Sequence, residues 1–156
     1  MATVSATQEL PGPVSAAEAL WYDQRRWPSF VDGFAHVQKS EGDWPKDGAR
    51  VIWQSGPDGR GTVAERVTRY EVRTGQTAEI EDPRITGVQT VTFTPAADGR
   101  STITVELDYR LKERTPFTPI VDALFVRRAM TDAIRRTLAR FARELRGDLE
   151  LGDGGL

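Results

Sequence analysis

Arg127 falls in the middle of an apolar stripe. The stretch from Arg127 to Arg146 carries seven arginines and otherwise reads as one long amphipathic helix. Turning 100° per residue from Ile134, positions Ala123, Met130, Leu138, Phe141 and Leu145 land within about 40°, and Arg127 lands among them at about 20°. The other six, Arg128, Arg135, Arg136, Arg140, Arg143 and Arg146, land at about 100° or more, on a face that reads as solvated. A guanidinium keeps its proton inside a protein, so an inward Arg127 needs an anion or several acceptors. That anion is either an inward carboxylate of the chain or the carboxylate, phosphate or enolate oxygen of a bound molecule, which a two-pronged guanidinium suits. Glu65 is the expected protein partner. In the run Thr62–Arg73 it alternates with Val63 and Val67 and faces inward if they do, whereas the opposite register puts it in water. A carboxyl enclosed among apolar groups has a raised pKa unless a cation sits beside it, so Glu65 is either a general base or the counter-ion of Arg127. Tyr109 closes an apolar alternation. Its hydroxyl is either a donor into an enclosed site or the polar edge of a packed ring. Gln89 shares a face with Val91 and Phe93 and carries the same two readings.

Other chemistries are excluded or unsupported. The chain has no cysteine, hence no disulfide framework, thiol nucleophile or zinc-thiolate site. A single histidine, His36, excludes any metal site that needs two, and no nucleophile elbow accompanies it. No metal and no cofactor are expected. The glycine-rich GPDGRG at 56–61 lacks the Lys-Ser/Thr ending and the following helix of a phosphate loop, so it reads as a hairpin turn.

With 156 residues the chain is long enough for one domain with a real core. Charged residues make up 28% with a net charge of −2, which lacks the basic excess of a nucleic-acid-binding surface. The opening MATVSATQEL has no basic residue followed by an apolar run, so no secretory signal is expected. The apolar run Ile120–Val126 is interrupted by Asp122 and is too short to span a bilayer. These features, with the missing cysteines, lead to an expected cytoplasmic location and no integral membrane segment. The oligomeric state is not legible.

The elements that would position these groups follow from periodicity. Residues 2–10 read as a strand that Pro11-Gly12-Pro13 breaks. A helix follows from Ser15, with Ser15 and Glu18 spaced as a capping box. Trp27-Pro28 ends or kinks it, and Phe30, Val31 and Phe34 belong to a short second helix and a turn at Gly33. From residue 35 the period is two, with strands at 36–41, 50–55, 62–73, 76–81, 88–94 and 101–111. Asp98-Gly99 is a hairpin signal. A long helix is expected over about 118–147, with Gly147 as its stop and a frayed tail beyond. An antiparallel sheet must cover one face, and the last helix is the element large enough to do so. A curved sheet around one helix often encloses a cavity.

The opening strand followed by PGPVSAAEALWYD, the DQRRWP segment, GARVIWQSG, TVAERV, GVQTVTFTP and the closing VDALFVRRAMTDAIRRTLARF, in this order and spacing, resemble the START-like, or Bet v 1-like (SRPBCC), helix-grip superfamily. Within it they are most similar to the polyketide cyclase/dehydrase group. The resemblance implies an α+β helix-grip fold: a curved seven-stranded antiparallel sheet wrapped around a long C-terminal helix, with two short helices between strands 1 and 2. It spans a single domain, 1–147, leaving 148–156 as a short flexible tail. It further implies a hydrophobic small molecule, lipid-, polyketide- or aromatic-like, held between sheet and helix. The expected lining is Trp27, Phe30, Phe34, Trp53, Val67, Gln89, Val91, Phe93, Tyr109, Ala123, Arg127, Met130 and Ile134, since ligand sites are mostly apolar and aromatic. Residues 27–34 would act as a lid. The fold implies a pocket and not a reaction. Three functions therefore stand open: a carrier or sensor, a cofactor-free cyclase, aromatase or dehydratase using Arg127 with Glu65 or Tyr109, and a ligand-free interaction domain.

Overall fold

The computed structural model describes residues 2–112 and 125–154. Strand β1 (Ala2–Leu10) leads into helix α1 (Val14–Trp21), a 3₁₀ turn at Gln24–Arg26 and the short helix α2 (Trp27–Phe30). Six strands follow, β2 (Phe34–Glu41), β3 (Arg50–Ser55), β4 (Thr62–Glu71), β5 (Gly75–Glu81), β6 (Ile85–Pro95) and β7 (Ser101–Leu111), and then helix α3 (Arg127–Gly154). All pairs are antiparallel in the order β1-β7-β6-β5-β4-β3-β2. Because β1 and β2 lie at opposite edges, α1 and α2 carry the chain from one edge to the other. The expected helix-grip fold is therefore the observed one.

The alternation of β7 translates directly into burial, with Ile103, Val105, Leu107 and Tyr109 inside. In β4, Val63 and Val67 are inside, and the register shifts between Val67 and Arg69. This bulge at Thr68 returns Tyr70 to the inner side, where its ring meets Tyr22 edge-on at 5.6 Å. From above the sheet, Leu138, Phe141 and Leu145 of α3 close the core.

Three local expectations are corrected. No side-chain cap forms at α1, whose N-cap is Pro13. Glu18 is instead buried, where it ion-pairs with the Arg73 guanidinium and accepts a hydrogen bond from the Arg73 backbone N–H at 2.9 Å. A buried charge gains more from a cation and a left-handed turn amide (Arg73 φ 61°) than from its own helix end. Trp27-Pro28 does not end α1, which stops at Trp21. Pro28 lies in the first turn of α2, where a missing N–H costs nothing. Gly147 does not stop the last helix, which runs on to Gly154 in place of the expected tail. Tertiary contacts hold that end. Arg26 donates to Asp148 at 2.9 and 3.1 Å and to Glu144 at 3.1 Å, and Leu149 seats against Gly12, where a Cβ would come within 2.7 Å of its Cδ1. Such contacts outweigh the roughly 1 kcal/mol that an interior glycine costs a helix. The expected helix start near 118 lies outside the described residues.

Candidate ligand-binding cavity

A cavity of about 110 Å³ lies between the sheet, α2 and α3. The sheet side is formed by Trp53 of β3, Glu65 of β4, Gln76 and Ile80 of β5, Gln89 of β6 and Val105 of β7. Trp21, Trp27, Phe30, Val31 and Asp32 wall one flank, Trp44 and Arg60 come from loops, and Ala133, Ile134, Thr137 and Leu138 of α3 form the roof. All four tryptophans of the chain thus face one space.

Their orientations are fixed by hydrogen bonds and ring contacts. The Trp27 indole N–H donates to the Trp21 carbonyl at 2.9 Å, and the Trp44 indole N–H donates to the Tyr22 carbonyl at 2.9 Å. Phe34 links the two flanks, with ring centroids 6.0 Å from Trp27 and 5.5 Å from Trp53. Trp53 differs in its partner: its indole N–H donates to Glu65 Oε2 at 2.6 Å. The β3–β4 register pairs Trp53 with Val63 and Val51 with Glu65, so Trp53 and Glu65 stand diagonally on the inner face within reach of each other.

Arg60 completes this corner. Its Nε donates to Asp82 Oδ2 at 2.8 Å, its guanidinium carbon lies 6.0 Å from the Trp53 ring centroid, and its Nη2 is buried without a hydrogen-bond partner among the described residues. Asp82 is itself buried, and its Oδ1 accepts from the Arg84 and Ile85 backbone amides at 2.8 and 2.9 Å. The β5–β6 turn therefore anchors the Arg60 side chain at the cavity wall. On the helix side, Asp32 accepts two bonds from Arg136 at 3.0 Å each and one from Arg140 at 3.1 Å, and its backbone N–H donates to Thr137 Oγ1 at 3.0 Å. These two arginines, read from the sequence as part of a solvated face, fasten the segment after α2 to α3. They hold the Asp32 carboxyl below the usual carboxylate range.

Burial pushes the Glu65 carboxyl above the usual carboxylate range, against the opposing pull of the Trp53 hydrogen bond and the Arg60 charge. Its inner-face position leaves some residual surface, and part of that surface is cavity wall. The sign for stability follows. Between the ordinary carboxylate pKa of the unfolded chain, about 4.3, and the raised folded value, the folded state keeps a proton that the unfolded state has released. Stability from this group is complete below that window and falls as pH rises through it. Glu65→Gln is expected to match the native protein in urea unfolding at pH 4 and to exceed it at pH 8. Equal differences at both pH values would refute an enclosed, neutral acid. Asp32, shifted the opposite way, is common to both proteins and cancels.

The sequence-derived residues separate into four groups. Trp27, Phe30, Trp53, Glu65, Gln89 and Ile134 line the cavity. Val67, Val91, Phe93 and Tyr109 are buried in the core, and Phe34 and Met130 are half-buried against it; none of these six is part of the lining. Tyr109 packs beside Gly87, where a Cβ would lie 3.1 Å from the tyrosine Cβ. Ala123 lies outside the described residues. Arg127 is the main correction: it is exposed at the first residue of α3 and is not part of the cavity lining. A helical wheel gives direction but not depth. The stripe is fully buried only from Leu138 onward, while Met130 and Ile134 are half-buried and Phe125 is 67% exposed. Of the residues not foreseen, Trp44 could have been flagged as an aromatic inside the polar turn GDWPKDG. Arg60 carried no signal in GPDGRG. Among the described residues no group of three or more His, Cys, Asp or Glu is placed to hold a metal, and no helix is long and apolar enough to cross a membrane.

Residues 1–146 match the family described as polyketide cyclase/dehydrase and lipid transport. No curated protein matches the chain in sequence. Solved structures share its fold at low identity. TTHA0849 from Thermus thermophilus superposes with a TM-score of 0.72 at 16% identity, covering 94% of this chain and 99% of that one. Ara h 8.0201 gives 0.70 at 14%, covering 94% and 98%. A point mutant of norcoclaurine synthase from Thalictrum flavum, solved with a transition-state analogue, gives 0.65 at 13%, covering 92% and 94%.

Proposed function

We propose, since this chain belongs to the polyketide cyclase/dehydrase and lipid transport family, that it binds a mostly apolar small molecule in the cavity between sheet and α3 and carries or senses it. One observation supports this most strongly: all four tryptophans line one cavity whose wall includes the enclosed carboxyl of Glu65. Apolar cavities of about 150 Å³ take up a benzene ring, so the present volume of about 110 Å³ suits a small ring or short chain. Larger ligands need the flank at residues 27–34 to move, and the Asp32 bonds to Arg136 and Arg140 are the contacts such a lid would release. The cysteine-free sequence suits a cytoplasmic setting.

A second reading, a cofactor-free cyclase or dehydratase, is favoured by the same acid. A carboxyl with a raised pKa in a largely apolar pocket is suited to moving a proton. In that reading Glu65 is the proton carrier, and Arg60 replaces Arg127 as the cation of the site. Native mass spectrometry of the purified protein tests the binding reading. A defined adduct released on denaturation is expected, and an adduct-free protein that also fails to take up added small aromatics would refute it.

A further inference from the structure

Resting on the cavity as a ligand site, the geometry points to the chemical class of the ligand: an apolar body bearing one uncharged carbonyl oxygen, received at the Trp53 corner by Glu65 and Arg60. Two polar side chains meet at this indole. Glu65 is bound to its N–H through Oε2, and the Arg60 guanidinium lies over its ring. The Trp53 bond occupies Oε2 and leaves Oε1 uncommitted among the described residues, free to donate to a ligand whenever the carboxyl holds its proton. Arg60 commits Nε to Asp82 while Nη2 is buried with no acceptor among the described residues. The corner is therefore short of acceptors, and a carbonyl oxygen has two lone pairs to supply them.

The charged alternatives fit less well. An ammonium group would bind best over an indole face next to an ionised acid. Here the guanidinium of Arg60 already lies over Trp53 and would repel it. A carboxylate would seek Arg60, but Asp82 already neutralises that cation at 2.8 Å, and the ionised Asp32 on the same walls would repel a second anion. An uncharged oxygen escapes both penalties and, once hydrogen-bonded, costs far less than a charge to bring out of water.

The test uses four benzene-ring probes of similar size: acetophenone, ethylbenzene, benzoate and benzylammonium. Each is titrated into ¹⁵N-labelled protein while the four indole N–H signals are followed. Acetophenone and ethylbenzene differ by a carbonyl in place of a methylene. One or two hydrogen bonds to this corner are expected to favour the ketone by about tenfold. Glu65→Gln should keep that preference, because the amide accepts from Trp53 and donates with its NH₂. Glu65→Leu should bring acetophenone closer to the level of ethylbenzene, leaving Arg60 as the remaining donor. Equal affinity for the two in the native protein would overturn the assignment, as would tighter binding of benzoate or benzylammonium. So would a Glu65→Gln protein as indifferent as Glu65→Leu. Ethylbenzene binding reports the cavity itself in each variant. If it fails even in the native protein, the ligand-site reading is lost and this one falls with it. If it persists while the ketone preference is absent, only the carbonyl assignment is lost.

Discussion

Phe141→Ala is expected to cost the protein about 3–5 kcal/mol, the range for deleting a fully buried aromatic ring. Phe141 is 0% exposed and is the point at which α3 grips the rest of the fold. Its ring meets Trp21 edge-on at 5.2 Å and Phe30 at 5.1 Å, and those two rings stack at 5.7 Å. Truncation removes one member of a three-ring cluster that ties α1, α2 and α3 together. The neighbours cannot close the gap without giving up contacts of their own. Against a typical total of about 5–15 kcal/mol, such a loss brings the fold close to its limit. Urea unfolding should show a large drop in midpoint with little change in slope. A loss under about 1 kcal/mol would mean that α3 is held elsewhere. Trp21 and Phe30 also wall the cavity, so any variant that survives should bind its ligand more weakly as well.

The second large effect is functional. Ala133 lies in the roof formed by α3, half-buried and against the cavity. Ala133→Trp would place an indole in a space of about 110 Å³ that holds no more than a small ring. It keeps the helix, since tryptophan at one half-buried helical position costs well under 1 kcal/mol in propensity. Binding of a benzene-sized probe should weaken on the order of a hundredfold, the equivalent of the ring burial it forfeits. Thermal stability should stay level or rise, because filled cavities stabilise. Unchanged affinity in a folded Ala133→Trp protein would place the binding site elsewhere.

How far the sequence reveals this arrangement depends on the kind of signal each residue carries. Period-two alternation in Ser101–Leu111 is a local property and maps onto burial position by position. The same logic puts Glu65 beside Val63 and Val67 on the inner face, where it is found. Arg127 shows the limit of the method: its angle around the helix was correct for the stripe, but the stripe is fully buried only from Leu138 onward. Glu18 and Gly147 fail for a related reason. Each followed a sound local rule, for a capping box and a helix stop, and each was overridden by a partner distant in sequence, Arg73 for Glu18 and the Arg26 and Gly12 contacts beside Gly147. The Arg60 corner was hidden because it depends on two turns, 56–61 and 82–84, meeting across β4 and β5. Neither turn has a hydrophobic pattern that would bring it to a cavity wall. The elements themselves are thus legible from periodicity, whereas the polar end of the cavity is a product of tertiary contacts.

Whether the cavity takes up a ligand is tested most directly by titrating the native protein with ethylbenzene while following the indole N–H resonances of Trp21, Trp27, Trp44 and Trp53. Because all four rings face one space, their signals should shift together and saturate at one equivalent with a single affinity. Shifts that fail to saturate, or a response confined to one indole with the other three unmoved, would contradict a common ligand cavity.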